Sequence, residues 1–330
     1  MPPSLPVNNG EQRGGGASAD VSGSLPNYNS AAALRALLAE KGLSIRKQWG
    51  QNFLVNPSAR RALVDSLEAE GDVWEIGSGP GCMTAELLNR GMAVTAFEID
   101  PGFCGILEEF FASSGRFTLI PGDVLTTWKT AKRAPYLLGN LPYTIAALLM
   151  GNLIEGSCFF ARMVVTVQKE VALRMAARPG SKDYSSISVL CASAYTMKII
   201  RTLKGSSFYP VPHVDSAAVR FERRSGAPPP PRLFYPLIRA LFASRRKTTA
   251  NNLTTFLCRT GGEPRELSSS APLALAGDTG TLKGRNKSAG LAAEVLKGCG
   301  LSGRERAEQL PPETFFALAM ELEKCRQERG

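Results

Sequence analysis

Asn140-Leu141-Pro142-Tyr143 follows an apolar run, Tyr136 to Leu138, and lies downstream of a glycine-rich stretch, Glu75-Ile76-Gly77-Ser78-Gly79-Pro80-Gly81. An amide, a carbonyl ahead of a proline and an aromatic face are what is needed to hold a flat base by its exocyclic NH2. The glycine stretch offers a close-approach turn to a nucleotide-like cofactor, with backbone N–H groups and a helix N-terminus that favour an anionic group. Together they imply methyl transfer to an amino nitrogen. A conjugated amine is a poor nucleophile. Acceptors at Asn140 Oδ1 and the Leu141 carbonyl favour a pyramidal nitrogen and aim its lone pair, while Tyr143 stacks on the base. Positioning and electrostatics then carry the rate, and no strong base is needed.

Two acids extend the series. Glu98 stands 21 residues after Gly77, about the spacing at which an acidic group reaches ribose hydroxyls. Asp123, in Gly122-Asp123-Val124, can accept a hydrogen bond from an adenine amino group. By itself it reads as a turn residue or helix cap.

These residues need a scaffold that presents them along one edge. Short β-rich runs (Val73 to Ile76, Ala93 to Phe97, Phe117 to Ile120, Tyr136 to Leu138, Met163 to Val167) alternate with helix-like stretches. This predicts an α/β, Rossmann-like domain with a mainly parallel sheet over residues 30–224. Thr196 to Leu203 and Ala217 to Phe221 fit an antiparallel pair at one end of the sheet. Residues 1–29, rich in Pro, Gly, Ser and Asn, read as a disordered tail. Residues 225–231, ending in four prolines, read as a stiff linker. Residues 232–330 read as a small helical domain, with helices over Leu233 to Phe242, Lys247 to Leu257, Ala289 to Lys297 and Pro312 to Lys324.

Charge separates the two parts. From Arg223 onward 18 Lys and Arg face 10 Asp and Glu, which leaves 21 against 19 before it. A basic appendage beside a near-neutral domain suggests a polyanionic partner, most plausibly nucleic acid. Arg245-Arg246-Lys247, at a predicted helix start, are the candidate phosphate contacts. Seven scattered cysteines without a C-x-x-C pair suggest reduced thiols and a cytoplasmic setting. His213 is the only histidine, which argues against a zinc site or a catalytic Ser-His or Cys-His pair. No apolar run approaches about 18 residues, so a membrane span is not expected.

From about Ser44 to the C-terminus the chain resembles the small-subunit ribosomal RNA adenine N6-dimethyltransferases of the KsgA type, relatives of the Erm methylases. The likeness rests on Gly50-Gln51-Asn52-Phe53-Leu54, the glycine loop, Glu98, Gly122-Asp123, Asn140 to Tyr143, Gln168 to Ala172, Phe208 to Ser216, Phe242 to Leu253 and Arg306 to Leu310. It implies a class I S-adenosylmethionine-dependent methyltransferase with a seven-stranded sheet. It further implies cofactor contacts from Asn52, Leu54, Gly77 with its loop partner Gly79, Glu98, Asp123 and Asn140. The target adenine would lie between Tyr143 and Phe208, held by Asn140 and Leu141. The implied substrate is a pair of adjacent adenines in the loop of the hairpin near the 3′ end of small-subunit rRNA, within a pre-mature 30S particle. A monomer without metal is the expected form. The chain departs from the family pattern at His213, often lysine, and at Ser78-Gly79-Pro80.

An Erm-like methylase of large-subunit rRNA, a DNA adenine methylase and a non-catalytic RNA-binding assembly factor are the competing readings. The intact Phe208-to-Ser216 motif, Leu141 in place of isoleucine and the basic appendage favour the KsgA type over the other enzymes. The undegraded cofactor residues favour an enzyme over a binding factor.

Overall fold

The computed structural model describes residues 25–46, 49–142, 145–226, 230–260 and 282–328. Lys47, Tyr143, Pro228, Pro229 and most of the expected tail lie outside the described residues. The strands are β1 (Phe53–Leu54), β2 (Asp72–Ile76), β3 (Ala93–Glu98), β4 (Phe117–Pro121), β5 (Tyr136–Asn140), β6 (Arg162–Gln168), β7 (Tyr195–Leu203), β8 (Phe208–Tyr209) and β9 (Ser216–Arg223). The helices are α1 (Ala31–Glu40), α2 (Pro57–Asp65), α3 (Cys82–Asn89), α4 (Pro101–Phe111), α5 (Val124–Thr127), α6 (Ala146–Glu155), α7 (Lys169–Met175), α8 (Ser186–Ala194), α9 (Phe234–Phe242), α10 (Thr249–Thr260), α11 (Leu282–Gly298) and α12 (Pro312–Gln327).

Seven strands form one sheet in the order β4-β3-β2-β5-β6-β9-β7. The first five are parallel, and β9 and β7 close the sheet in antiparallel register. Near-continuous apolar runs suit strands covered on both faces. Alternation splits them: Val73, Val94 and Leu138 face one core with α1 to α4, while Trp74, Phe97 and Leu137 face another with α6 and α8. The chain order reverses between β2 and β5. Ligands of open α/β sheets bind at the carboxyl edge of such a switch point.

Local chemistry sets several helix starts. Asn56 caps α2 by accepting from the Ala59 N–H, with Pro57 in the first turn, and Asp100 caps α4 ahead of Pro101. The two-stranded pairing of β1 with β8 sets Phe53 opposite Tyr209 and Leu54 opposite Phe208. No local pattern announces it.

The boundary drawn at residue 29 falls inside a packed segment. Tyr28 is buried, and Leu34, Leu37 and Leu38 of α1 enter the same core as α3 and α4. Tyr28, with Leu25 packed against the same core, anchors this end of the stretch. Beyond the linker, α9 to α12 build a third core that also takes Tyr184 and Val189 from the sheet domain. The Tyr184 hydroxyl donates to the Leu310 carbonyl and Tyr235 donates to Ile154, joining the parts. Helix α11 starts seven residues before the expected Ala289, through Gly284, Asn286 and Ser288. Each costs helix propensity, and packing of Ala292, Val295 and Leu296 outweighs it.

Candidate active site

The carboxyl ends of β2, β3, β4 and β5 open into one cleft. Asn52, Gly77, Gly79, Glu98, Asp123 and Asn140 line it together. Four strand ends and the segment before β1 therefore bring together residues spread over almost ninety positions of sequence.

Between β2 and α3 the glycine loop turns with positive φ at Gly77, Gly79 and Gly81. A Cβ on Gly79 would stand 2.8 Å from the Phe53 ring, and one on Gly81 would stand 2.5 Å from the Phe111 ring. Side chains are excluded by sterics as well as by backbone conformation. The loop amides do not face a ligand as the sequence suggested. Gly77 N–H and Ser78 N–H donate to the Phe97 carbonyl, Gly79 N–H donates to Glu98 Oε2 at 2.7 Å, and Gly81 N–H donates to the Ser78 carbonyl. Pro80 has no N–H. The loop thus offers a cofactor its bare Cα surface, because internal partners consume its donors.

Glu98 is buried, and its carboxylate accepts three backbone N–H groups: Gly79 on Oε2, and Ile99 and Asp100 on Oε1. Burial raises its pKa, opposed by those amides. A carboxylate has about four lone-pair sites, so Oε2 retains one for a hydroxyl. Asp123 both caps and lines. Its Oδ1 accepts from Leu125 N–H at the start of α5, which leaves Oδ2 without a donor from that turn.

Asn140 ends β5 and is half-buried. Its Nδ2 donates to the Asn52 carbonyl at 2.6 Å, and Asn52 Nδ2 donates to the Gly50 carbonyl. This engages one of the two N–H donors of the Asn140 amide and fixes which way it faces. Oδ1 is the remaining acceptor, with no donor to it among the described residues. Leu141 is buried; its N–H donates to the Thr166 carbonyl and its side chain packs on Gly139.

Three expected site residues stand behind the cleft lining. Leu54 and Phe208 are buried and paired across β1 and β8, and Leu141 is seated beneath Asn140. Apolar side chains at strand ends turn into the core, so their contribution to a ligand runs through backbone atoms or through neighbours. Tyr143, the expected stacking partner, lies outside the described residues.

Sequence reasoning passed over most of the apolar lining. Ile99 and Val124 directly follow the two acids, Trp49 precedes the Gly50 motif, and Phe103 sits in the first turn of α4. An apolar residue beside each strand-end acid was the available signal. Below the loop, Glu75 is fully buried and accepts from the Thr84 hydroxyl at 2.6 Å. Burial, with the nearby Glu98 charge, pushes its carboxyl up to about 7 against the opposing Thr84 hydrogen bond.

Arg245 also has partners within the protein. Its guanidinium pairs with Glu308 at 2.9 Å and donates to the Lys182 carbonyl, so it ties the helical part to the sheet domain. Neighbouring Arg246 and Lys247 are exposed, with no ion pair among the described residues.

Residues 42–266 match the family model described as Ribosomal RNA adenine dimethylase. A Treponema pallidum protein named Ribosomal RNA small subunit methyltransferase A is 42% identical over 301 residues, covering 89% of this chain and 96% of the relative. The protein of that name from Geobacillus thermodenitrificans is 36% identical over 66% of this chain and 79% of its own length. Among solved structures, a dimethyladenosine transferase from Plasmodium falciparum aligns with TM-score 0.61 at 22% identity, over 82% of this chain and 96% of that one. The 23S rRNA methyltransferase ErmE aligns with TM-score 0.53 at 21% identity, over 82% of this chain and 99% of that one. Both structures share the class I methyltransferase fold. With these matches the chain belongs to the ribosomal RNA adenine dimethylase family, enzymes that methylate adenine in ribosomal RNA with S-adenosylmethionine as methyl donor.

Proposed function

We propose that this chain adds two methyl groups to N6 of each of two adjacent adenines, in the loop of the hairpin near the 3′ end of small-subunit rRNA, within a pre-mature 30S particle. The observation that carries the chemistry is the Asn140 amide, whose nitrogen is held by the Asn52 carbonyl at 2.6 Å so that Oδ1 is left as an acceptor. The name shared by the close relatives supports the small-subunit substrate.

The residues fit the cofactor. Glu98 Oε2 has an acceptor site for a ribose hydroxyl, Asp123 Oδ2 one for an adenine amine, and Ile99 and Val124 supply apolar walls for a base. When bound, S-adenosylmethionine supplies a methyl group on a positively charged sulfur. Asn140 Oδ1 and the Leu141 carbonyl accept the two N6 hydrogens of the target adenine in the first round, and one of them accepts the single remaining hydrogen in the second, which each time draws the lone pair out of conjugation with the ring. Glu98, Asp123 and the cleft lining would hold the cofactor, and its methyl would be offered to the nitrogen that Asn140 positions. The methylated nitrogen loses its proton to water, so no side-chain base is required. Tyr143 is the proposed aromatic face for the base; Phe208, expected as the second face, is buried behind the cleft lining. A loop adenine suits this site because little stacking must be broken to deliver it.

Incubating the protein with labelled S-adenosylmethionine and small subunits from a strain lacking the modification, then mapping the product by mass spectrometry, tests the reading. N6,N6-dimethyladenine at the adjacent pair is the expected result. Label on large-subunit RNA or DNA moves the assignment to those substrates. No label despite measured cofactor binding makes the chain a binding factor.

A further inference from the structure

We propose that Tyr28 is a positioning residue for the cofactor, holding the apex of the glycine loop through its hydroxyl. The proposal rests on the reading of that loop as the S-adenosylmethionine site. It lies outside the family match, which begins at residue 42.

The loop amides are all turned inward, and Gly77, Gly79 and Gly81 leave the backbone between them intrinsically free. Pro80, at the apex, has no N–H and makes its outward bond through its carbonyl. That carbonyl accepts from the Tyr28 hydroxyl at 2.8 Å, a contact spanning 52 residues of sequence. The Tyr28 hydroxyl oxygen stands 3.2 Å from where a Cβ on Gly81 would be, so it also packs against the start of α3.

Tyr28 is itself fixed at its other end. Buried Arg60 donates to the Tyr28 carbonyl at 3.1 Å, to the Leu54 carbonyl at 2.8 Å and to Asn29 Oδ1. Ser30 caps α1, whose apolar face enters the core beneath the loop. One guanidinium thus couples the segment that carries Tyr28 to β1, beside Phe53, whose ring abuts Gly79. Burial holds the phenol pKa above its ordinary value, so the hydroxyl remains a donor throughout the working pH range.

Tyr28→Phe removes one oxygen and leaves the packing in place. A lost hydrogen bond of this kind corresponds to about a 5- to 10-fold effect. The expected result is a KM and a directly measured Kd for S-adenosylmethionine raised by about that factor, with kcat at saturating cofactor and KM for the ribosomal substrate unchanged. A purely structural hydroxyl gives the opposite pattern: a lowered unfolding midpoint with cofactor affinity unaltered, which overturns the proposal. Glu98→Gln, measured in parallel, separates the two readings. If it leaves cofactor affinity unchanged, the cofactor site itself has been misplaced; if it weakens binding while Tyr28→Phe does not, only the role of Tyr28 falls.

Discussion

On the donor side of the cleft, the amides of Gly77, Ser78, Gly79 and Gly81 are paired within the protein, Glu98 is held by three N–H groups, and aromatic rings from Phe53 and Phe111 press on the loop. On the side of β5, Asn140 Oδ1 has no donor among the described residues. The glycine-loop side is paired within the protein, whereas on the proposed reading the Asn140 side is left for groups that a base brings. On that reading, a small cofactor meets groups already paired within the protein, while the base of a larger RNA supplies hydrogens to Asn140 Oδ1.

The sharpest test of this contrast is Asn140→Ala. Loss of a preorganised group that acts on the transition state costs about 10²- to 10³-fold in kcat, and cofactor affinity and fold should change far less. A drop in cofactor affinity as large as the drop in kcat would erase the distinction between the two sides.

Glu75 probes the donor side alone. Its carboxyl is raised from 4.5 to about 7 in the fold, so the folded state binds that proton more tightly than the unfolded chain. Its contribution to stability is full below about pH 4.5, declines as pH rises to about 7, and is absent above. The shift corresponds to roughly 3 kcal/mol. Glu75→Gln keeps an acceptor for Thr84 and should flatten this part of the stability profile, leaving the protein more stable than the parent at pH 8. Denaturant melts of both proteins at pH 5 and pH 8 read the difference; parallel profiles would remove Glu75 as its source.

Glu98→Gln weakens a charge-assisted contact, expected at about 10- to 100-fold in cofactor affinity. Binding of the RNA substrate should be untouched. Calorimetric titration with each ligand separates the two effects.

The smallest effect belongs to the basic turn. Arg246→Ala with Lys247→Ala should weaken RNA binding and reduce its logarithmic salt slope by about 2, without altering cofactor affinity. An unchanged slope would place the phosphate contacts elsewhere. Arg245→Ala should differ in kind, loosening the junction with Lys182 and Glu308 and lowering the melting temperature.

Much of the fold was legible because it is written locally. Apolar runs of strand length alternating with amphipathic stretches require a covered parallel sheet. Gly77, Glu98, Asp123 and Asn140 each fall at a strand end, which the order of elements alone places on one edge. The same logic failed for the tail boundary at residue 29. Tyr28 owes its burial to Arg60, Pro80 and the ring of contacts around Gly81, none of them near it in sequence. Nor does the run Arg245 to Lys247 announce that its first member pairs with Glu308.

The sequence by itself determined which groups are present and on which strand ends they sit, since periodicity, glycine spacing and capping act over a few residues. Tertiary structure decided which of those groups are already spent. The loop donors are consumed by Phe97 and Glu98, one side-chain N–H of Asn140 by Asn52, and the Pro80 carbonyl by Tyr28. A hydrogen bond is satisfied only by a partner within about 3 Å. That distance is fixed by packing between segments far apart in the chain, which no local pattern records.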